Sequence, residues 1–99
     1  MAQVIWTIKA VEHIEEIGSF IEKDSLFQAR RVVQLIIKET RKLKEHTRIG
    51  HMIPEVQDDK YRELRVFSYR ILYKLLSEDK VAIIGVVHGN RLFNSQWLE

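Results

Sequence analysis

The 99-residue sequence contains no cysteine and only one proline. Without thiols it has neither disulfide bonds nor thiolate zinc sites. No apolar run approaches the roughly 20 residues that a membrane-spanning helix needs. The N-terminus also lacks the basic stretch, apolar core and small-residue cleavage site of a signal peptide. These absences exclude a disulfide scaffold and an integral membrane protein, and they predict a cytoplasmic location.

The composition is typical of a folded domain, with 45% hydrophobic and 30% charged residues. That apolar fraction is too high for a disordered chain. The formal net charge is only +2, so total charge does not indicate a nucleic-acid ligand, but residues 26–50 carry seven basic and two acidic side chains. We therefore predict one domain over residues 1–99, with its positive charge concentrated in the second quarter.

The first half of the chain predicts a strand over residues 3–7 and then two helices. Thr7 can cap the first helix, and Ser25 with Gln28 forms a capping box for the second. The buried stripes contain residues at helical spacing: Ala10, Ile14, Ile17 and Ile21, widened by Val11 and Phe20, then Ala29, Val32, Val33, Ile36, Thr40 and Leu43. Because the break between the helices is short, they should form an antiparallel hairpin.

After Gly50 the apolar period changes to two, which predicts strands over residues 52–56, 62–67, 69–76 and 81–88. Tight turns at 67–68 and 78–79 would pair Arg65 with Arg70, Leu64 with Ile71, and Ile71 with Val86. The predicted fold class is α+β. An N-terminal strand and an antiparallel helix hairpin pack on one face of a twisted, mainly antiparallel sheet of four to five strands.

This register assigns each strand residue to a face of the sheet. The face under the helices would contain Leu64, Val66, Tyr69, Ile71, Tyr73, Leu75, Ala82, Ile84 and Val86. The opposite face would contain Glu63, Arg65, Arg70, Leu72, Lys74, Ile83, Val87 and Arg91. Since an unpaired guanidinium is costly to bury, we expect the second face to be an exposed surface for an anionic partner or a peptide. Arg70 has a simpler alternative, a cross-strand ion pair with Glu63.

Four short motifs occur in order along nearly the whole chain: Trp6-Thr7 followed by Ala10, then Arg62-Glu63-Leu64, Tyr69-Arg70-Ile71-Leu72-Tyr73 and Val87-His88-Gly89-Asn90-Arg91. With these motifs the chain resembles the ParE/RelE superfamily of toxins from type II toxin–antitoxin, or plasmid stabilization, modules. The resemblance implies growth inhibition that a small cognate antitoxin neutralises in a hetero-oligomer. RelE-like members cut messenger RNA on the ribosome, whereas ParE-like members poison DNA gyrase.

Cleavage of RNA requires a base for the 2′-hydroxyl, cations for the phosphorane and an acid for the leaving oxygen. By resemblance, Arg70 and Arg91 match the two arginines of RelE-like sites. Tyr61 and Glu63 stand where lysines are expected, and the tail has Phe93 and Trp97 in place of a tyrosine. Because these residues supply neither the cations nor the acid, the sequence favours a ParE-like gyrase inhibitor over an enzyme.

Two alternatives remain open at this stage. In a RelE-like ribonuclease acting on ribosome-bound mRNA, the catalytic residues would be His88, Arg70 and Arg91, with His88 as base. A direct nucleic-acid-binding module would use the basic second helix and the cationic face. His88 also has a structural interpretation, a hydrogen bond to the backbone at the strand end. The four histidines lack metal-ligand spacing, and we expect neither a metal nor a cofactor.

For the ParE-like interpretation, the target-binding candidates combine charge with large apolar rings: Arg65, Arg70, Arg91, Phe93 and Trp97. Residues 91–99 resemble the toxicity region of ParE-like toxins only loosely. Trp97 is either free for a partner or packed back on the domain. We predict that truncation after Arg91 removes toxicity and leaves the fold and antitoxin binding largely intact. The alternative is that Trp97 closes the core, in which case truncation would destabilise the domain.

Overall fold

The computed structural model describes residues 1–98; Glu99, the last residue of the predicted domain and tail, lies outside them. Its elements in chain order are β1 (Gln3–Trp6), α1 (Ile8–Glu22), α2 (Leu26–Arg41), β2 (His51–Met52), β3 (Tyr61–Val66), β4 (Tyr69–Ser77) and β5 (Lys80–His88). Short 3-10 helices occupy Lys42–Lys44 and Ser95–Leu98. No helix in the described part of the chain is long and apolar enough to cross a membrane.

The five strands form one sheet in the order β1-β5-β4-β3-β2. β1 runs parallel to β5, and the other neighbours are antiparallel. The predicted pairs Arg65 with Arg70, Leu64 with Ile71, and Ile71 with Val86 are all present. Both predicted turns are also in place. The predicted fold class, with two helices on a mixed and mainly antiparallel sheet, is confirmed.

The helices begin at the predicted caps. The Thr7 hydroxyl accepts a hydrogen bond from the Ala10 N–H, and the Ser25 hydroxyl accepts one from the Gln28 N–H, both at 3.1 Å. The predicted widening of the α1 stripe is wrong, because Val11 and Phe20 are exposed. The helix contacts the sheet and α2 through a narrower stripe, so these two positions fall outside the contact.

The sheet is buried on both faces. Between the helices and the sheet lies a first core built from Ala10, Ile36, Leu43, Val66, Ile71, Tyr73, Val81, Ile83 and Val86. On the opposite face lies a second core built from Ile53, Leu72, Ala82, Ile84, Val87 and Trp97. The prediction of an exposed cationic second face is therefore wrong, since the chain after β2 and the C-terminal 3-10 helix cover it.

A bulge in β5 explains why some residues lie on the face opposite to the predicted one. Leu72 pairs with Gly85, but the next residue, Tyr73, pairs with Ile83. One extra residue in β5 reverses the side-chain alternation beyond that point. As a result Ile84 lies in the second core and Ile83 in the first, and Ala82 also changes sides.

The predicted strand over residues 52–56 is wrong beyond Met52. The chain turns after Ile53, at Pro54, which has no N–H to donate to a sheet neighbour. The segment before β2 is held by the buried Tyr73 hydroxyl, which donates to the Thr47 carbonyl at 2.8 Å and accepts from the Gly50 N–H at 3.0 Å. These two bonds place the chain so that its following turn lies over the second face.

The close packing at Gly50 generates a stability prediction with an internal control. A Cβ at Gly50 would lie 2.5 Å from the Glu63 carbonyl oxygen, whereas a Cβ at Gly18, inside α1, would meet Val33 at an ordinary 3.5 Å. We expect Gly50→Ala to lower the free energy of unfolding by about 2 to 3 kcal/mol. Gly18→Ala should raise it by roughly 0.5 to 1 kcal/mol. Urea denaturation of both variants measures the two effects, and equal unfolding midpoints for the two variants would contradict the packing argument.

Candidate functional site

The first candidate site lies on the second face of the sheet, around Arg70 of β4. Glu63 reaches it from β3, where its Cα pairs with Leu72, two residues along β4. Glu55 approaches from the turn that follows β2. Arg70 and Glu63 are each only 3% exposed. Strand register thus supplies one carboxylate and a turn supplies the other.

All three nitrogens of the Arg70 guanidinium donate to carboxylate oxygens. Nε donates to Glu63 Oε2 at 2.6 Å. Nη1 and Nη2 donate to the two oxygens of Glu55 at 3.0 and 2.8 Å, a bidentate arrangement. Nη2 also reaches Glu63 Oε1 at 3.4 Å. The predicted pairing of Arg70 with Glu63 is confirmed, and we call the three residues Arg70, Glu63 and Glu55 the Arg70 clamp.

The clamp explains how a guanidinium can be buried here. The hydrogen bonds that Arg70 donates to Glu55 raise the pKa of Arg70, with those to Glu63 adding to the effect. In return, the hydrogen bond from Arg70 lowers the pKa of Glu55. Two hydrogen-bonded carboxylates offset the desolvation cost that led us to expect an exposed face. Sequence reasoning missed Glu55, since a residue in a turn carries no periodic signal that fixes its neighbour across space.

The clamp has little capacity for phosphate chemistry. Stabilising a phosphorane needs a cation whose donors point at the developing charge. Here the guanidinium donors are directed at two carboxylates, and the three groups together carry a formal charge of −1. An incoming phosphate would meet Glu55, whose side chain is 39% exposed, before it met Arg70. The arrangement fixes the second face of the sheet and leaves no free cationic centre at Arg70.

The C-terminal tail packs against this same face. The Phe93 ring lies 5.8 Å from Arg70 Cζ and contacts the Trp97 ring edge to face at 5.4 Å. The Trp97 ring in turn lies 5.1 Å from Arg91 Cζ. Trp97 is only 6% exposed, so of the two alternatives for this residue the structure shows the packed one. Truncation after Arg91 would therefore open the second core, and it cannot separate toxicity from folding.

The other predicted site residues are more exposed than Arg70. Arg91 is exposed although it contacts Trp97, and Arg65 is exposed on β3 beside Gly89. His88 ends β5, where Nδ1 accepts the Asn90 N–H at 3.1 Å and the ring meets Tyr69 edge to face. The backbone interpretation of His88 is therefore confirmed. Ring contacts bring four of the predicted residues together, Arg70, Arg91, Phe93 and Trp97. Arg65 pairs with Arg70 across β3 and β4, and His88 lines a cleft together with Arg91.

A second candidate site is the cleft between α1 and the end of β5. Its walls include two histidines, a tyrosine and an arginine beside apolar groups, namely His13, Ile17, Phe20, Tyr69, His88 and Arg91. His13 Nδ1 accepts the Val86 N–H at 3.0 Å, which fixes the ring against the sheet. Burial lowers the pKa of His13, and Glu16 opposes that shift. Within residues 1–98, no group of three His, Cys, Asp or Glu side chains is placed to hold a metal ion.

Comparison with known proteins gives a family and a fold. Residues 4–93 match the family model described as the ParE toxin of the type II toxin–antitoxin system parDE. A solved structure described as a chromosomal ParDE system from P. aeruginosa is similar, with a TM-score of 0.72 and 18% sequence identity. The similarity covers 89% of this chain and 96% of that one. Curated protein sequences give no match.

The clamp generates the second prediction. Arg70→Met keeps the length of the side chain but leaves two carboxylates facing a buried apolar group, so we expect the free energy of unfolding to fall by about 3 to 5 kcal/mol. Adding Glu63→Gln and Glu55→Gln should recover part of this loss. The matched control is Arg48→Met at the exposed ion pair with Asp59, which should lower the free energy of unfolding far less because solvent screens that pair. Denaturant unfolding distinguishes these cases, and equal losses at Arg70 and Arg48 would contradict the clamp.

The third prediction concerns pH. Because burial holds the pKa of His13 below its ordinary value of 6.5, the unfolded chain takes up this proton more readily than the folded chain. The contribution of the neutral His13 to the free energy of unfolding should be fully present above pH 6.5 and should be lost as the pH falls through the lower pKa of the folded state. His13→Asn retains an acceptor near the position of Nδ1 but does not titrate. Thermal melts between pH 8 and 5 should show a smaller decline in this variant, and an unchanged decline would contradict the assignment.

Proposed function

The chain belongs to the ParE toxin family of type II toxin–antitoxin systems, and from this membership we propose that it inhibits DNA gyrase by binding. A cognate antitoxin neutralises it by forming a complex with it. The toxin makes and breaks no covalent bond in this mechanism. It acts by binding the target protein and stabilising an unproductive state of that protein.

The observation that carries this proposal is the closure of the Arg70 clamp. Arg70 occupies the position that resembles a catalytic arginine of RelE-like toxins, but its guanidinium is buried and donates to two carboxylates. Tyr61 and Glu63 replace lysines on the adjacent strand. A site of this kind favours a binding toxin, since it lacks both the cations and the acid that RNA cleavage requires.

An exposed binding surface is the other requirement of such a toxin. Of the five predicted target-binding residues, Arg65 and Arg91 are exposed and offer cationic groups. Phe93 is partly buried, Trp97 lies in the second core, and Arg70 is buried in its ion cluster. In this proposal the last three residues contribute by holding the tail and sheet in shape, and Arg65 and Arg91 contribute charge to the contact.

The fourth prediction tests the target. The purified chain should inhibit supercoiling by gyrase, and addition of the cognate antitoxin should restore it. In a parallel translation reaction, primer extension should find no ribosome-dependent cleavage of the message. The toxin already bound to its antitoxin is the matched control in both assays.

Two results would contradict the proposal. Codon-positioned cleavage that disappears in His88→Ala or Arg91→Ala would identify a RelE-like ribonuclease rebuilt around the cleft residues. Salt-dependent binding to free RNA or DNA, with no effect on gyrase, would identify a direct nucleic-acid-binding module.

A further inference from the structure

The exposed aromatic side chains of this protein are concentrated at one end. The sequence has nine Phe, Tyr and Trp residues, all within the described range. Three of them are exposed large hydrophobic groups: Phe20 at 68%, Phe27 at 74% and Phe67 at 59%. The remaining six are buried or partly buried. Exposed aromatic groups of this size often mark a contact surface.

Contacts link Phe67 and Phe20 to the turn between β3 and β4, and helical spacing links Phe27 to the same region. Phe67 is in that turn, and Arg31 of α2 holds its guanidinium 5.9 Å from the Phe67 ring. Phe27 lies one helical turn before Arg31, so both project from the same side of α2. Phe20 lines the cleft with Tyr69 and His88. Tyr69 directly follows the turn, and His88 is its partner on β5. We call Phe20, Phe27, Arg31 and Phe67 the hairpin end.

The backbone of Phe67 is strained. Its φ is 53°, in the left-handed region that favours glycine and that is an outlier for a bulky residue. The ring is exposed and contributes to neither core, so burial does not compensate for the strain. The two-residue turn requires a positive φ at this position but does not require a bulky side chain, so the exposed phenylalanine ring points to a function outside the fold.

Three cationic side chains at this end lack an ion-pair partner within residues 1–98, although Glu16, Glu22 and Asp24 also lie on this part of the helix hairpin. Lys23, Arg31 and Arg65 are exposed, and none of them forms an ion pair with another residue of the described chain 1–98. Lys23 and Arg31 face aromatic rings instead, at 5.8 and 5.9 Å from the ring centroids. Asp24 in the helix connection pairs with neither of them. An acidic, partly apolar protein surface would complement this arrangement.

We infer that the hairpin end is the surface with which this toxin grips the protein that it poisons, and that it recognises an acidic and partly apolar patch on that target. Exposed aromatic rings beside arginine have the composition of binding hot spots. The C-terminal rings cannot serve in the same way, because Trp97 is packed in the second core. The inference rests on the proposed function, in which the toxin acts by binding.

The decisive variant is Phe67→Asn. Asparagine tolerates the left-handed region and removes the ring, so the melting temperature should rise while growth inhibition falls at least about tenfold. The matched control is Gln57→Gly. Gln57 is the other non-glycine residue with positive φ, at 55°, and it is not part of the hairpin end. The Gln57→Gly variant should gain stability and keep full toxicity. Loss of function with gained stability cannot arise from misfolding.

A second pair of variants tests whether the position of an exposed apolar side chain, and not its exposure alone, decides toxicity. Phe27→Ser at the hairpin end should reduce growth inhibition, whereas Ile8→Ser at the start of α1 should not, although Ile8 is 79% exposed. Arg31→Gln should weaken toxicity in the same direction as Phe27→Ser. Retained growth inhibition in folded Phe67→Asn and Phe27→Ser would overturn the inference. Loss of antitoxin binding with toxicity kept would also overturn it, since the patch would then belong to the antitoxin.

Two readouts keep this test distinct from that of the proposed function. Growth inhibition after induction without antitoxin reports the contact surface whatever the target is. Gyrase supercoiling by the same proteins reports the target. If the wild-type chain inhibits growth but not gyrase, the proposed target is wrong while the variant series still decides the surface.

Discussion

The ion cluster of Arg70, Glu63 and Glu55 holds together the parts of the structure that cover the second face of the sheet. It joins β4 to β3 and to the turn after β2, and Phe93 packs on the same guanidinium. With the carboxylates in place, Arg70 can be buried and apolar residues can close over it. Without them, a desolvated cation would prevent this face from forming a core.

Covering the sheet on both faces has consequences for a small protein. A chain of 99 residues has limited apolar surface to bury, and helices on one face alone would leave the other face wet. Here a short turn and one turn of 3-10 helix carrying Trp97 cover the second face. The tail aromatic residues Phe93 and Trp97, which were candidates for contact with a partner, therefore pack on the domain.

The same distribution of roles favours a binder over a catalyst. The charged groups of the Arg70 clamp bind one another, and these hydrogen bonds connect β3, β4 and the turn after β2. The exposed aromatic residues lie elsewhere, Phe20 on α1, Phe27 on α2 and Phe67 in the β3–β4 turn. A binding surface on such rigid elements loses little conformational entropy on binding, which suits an inhibitor that must hold a large enzyme.

Local pattern determined most of the architecture. The caps at Thr7 and Ser25, the change of period after Gly50, and the two-residue turns specify the elements and the register of Leu64 with Ile71. The ion pair between Glu63 and Arg70, which lie on the same face two register positions apart, was also predicted from the strands. Tertiary structure decided the rest: the bulge that places Ile83 and Ile84 on opposite faces, the arrival of Glu55 over Arg70, and the burial of Trp97. The physical reason is that periodicity reports only the spacing of residues along one segment. It does not show where a neighbouring strand contains an extra residue, or which distant segment supplies an opposite charge.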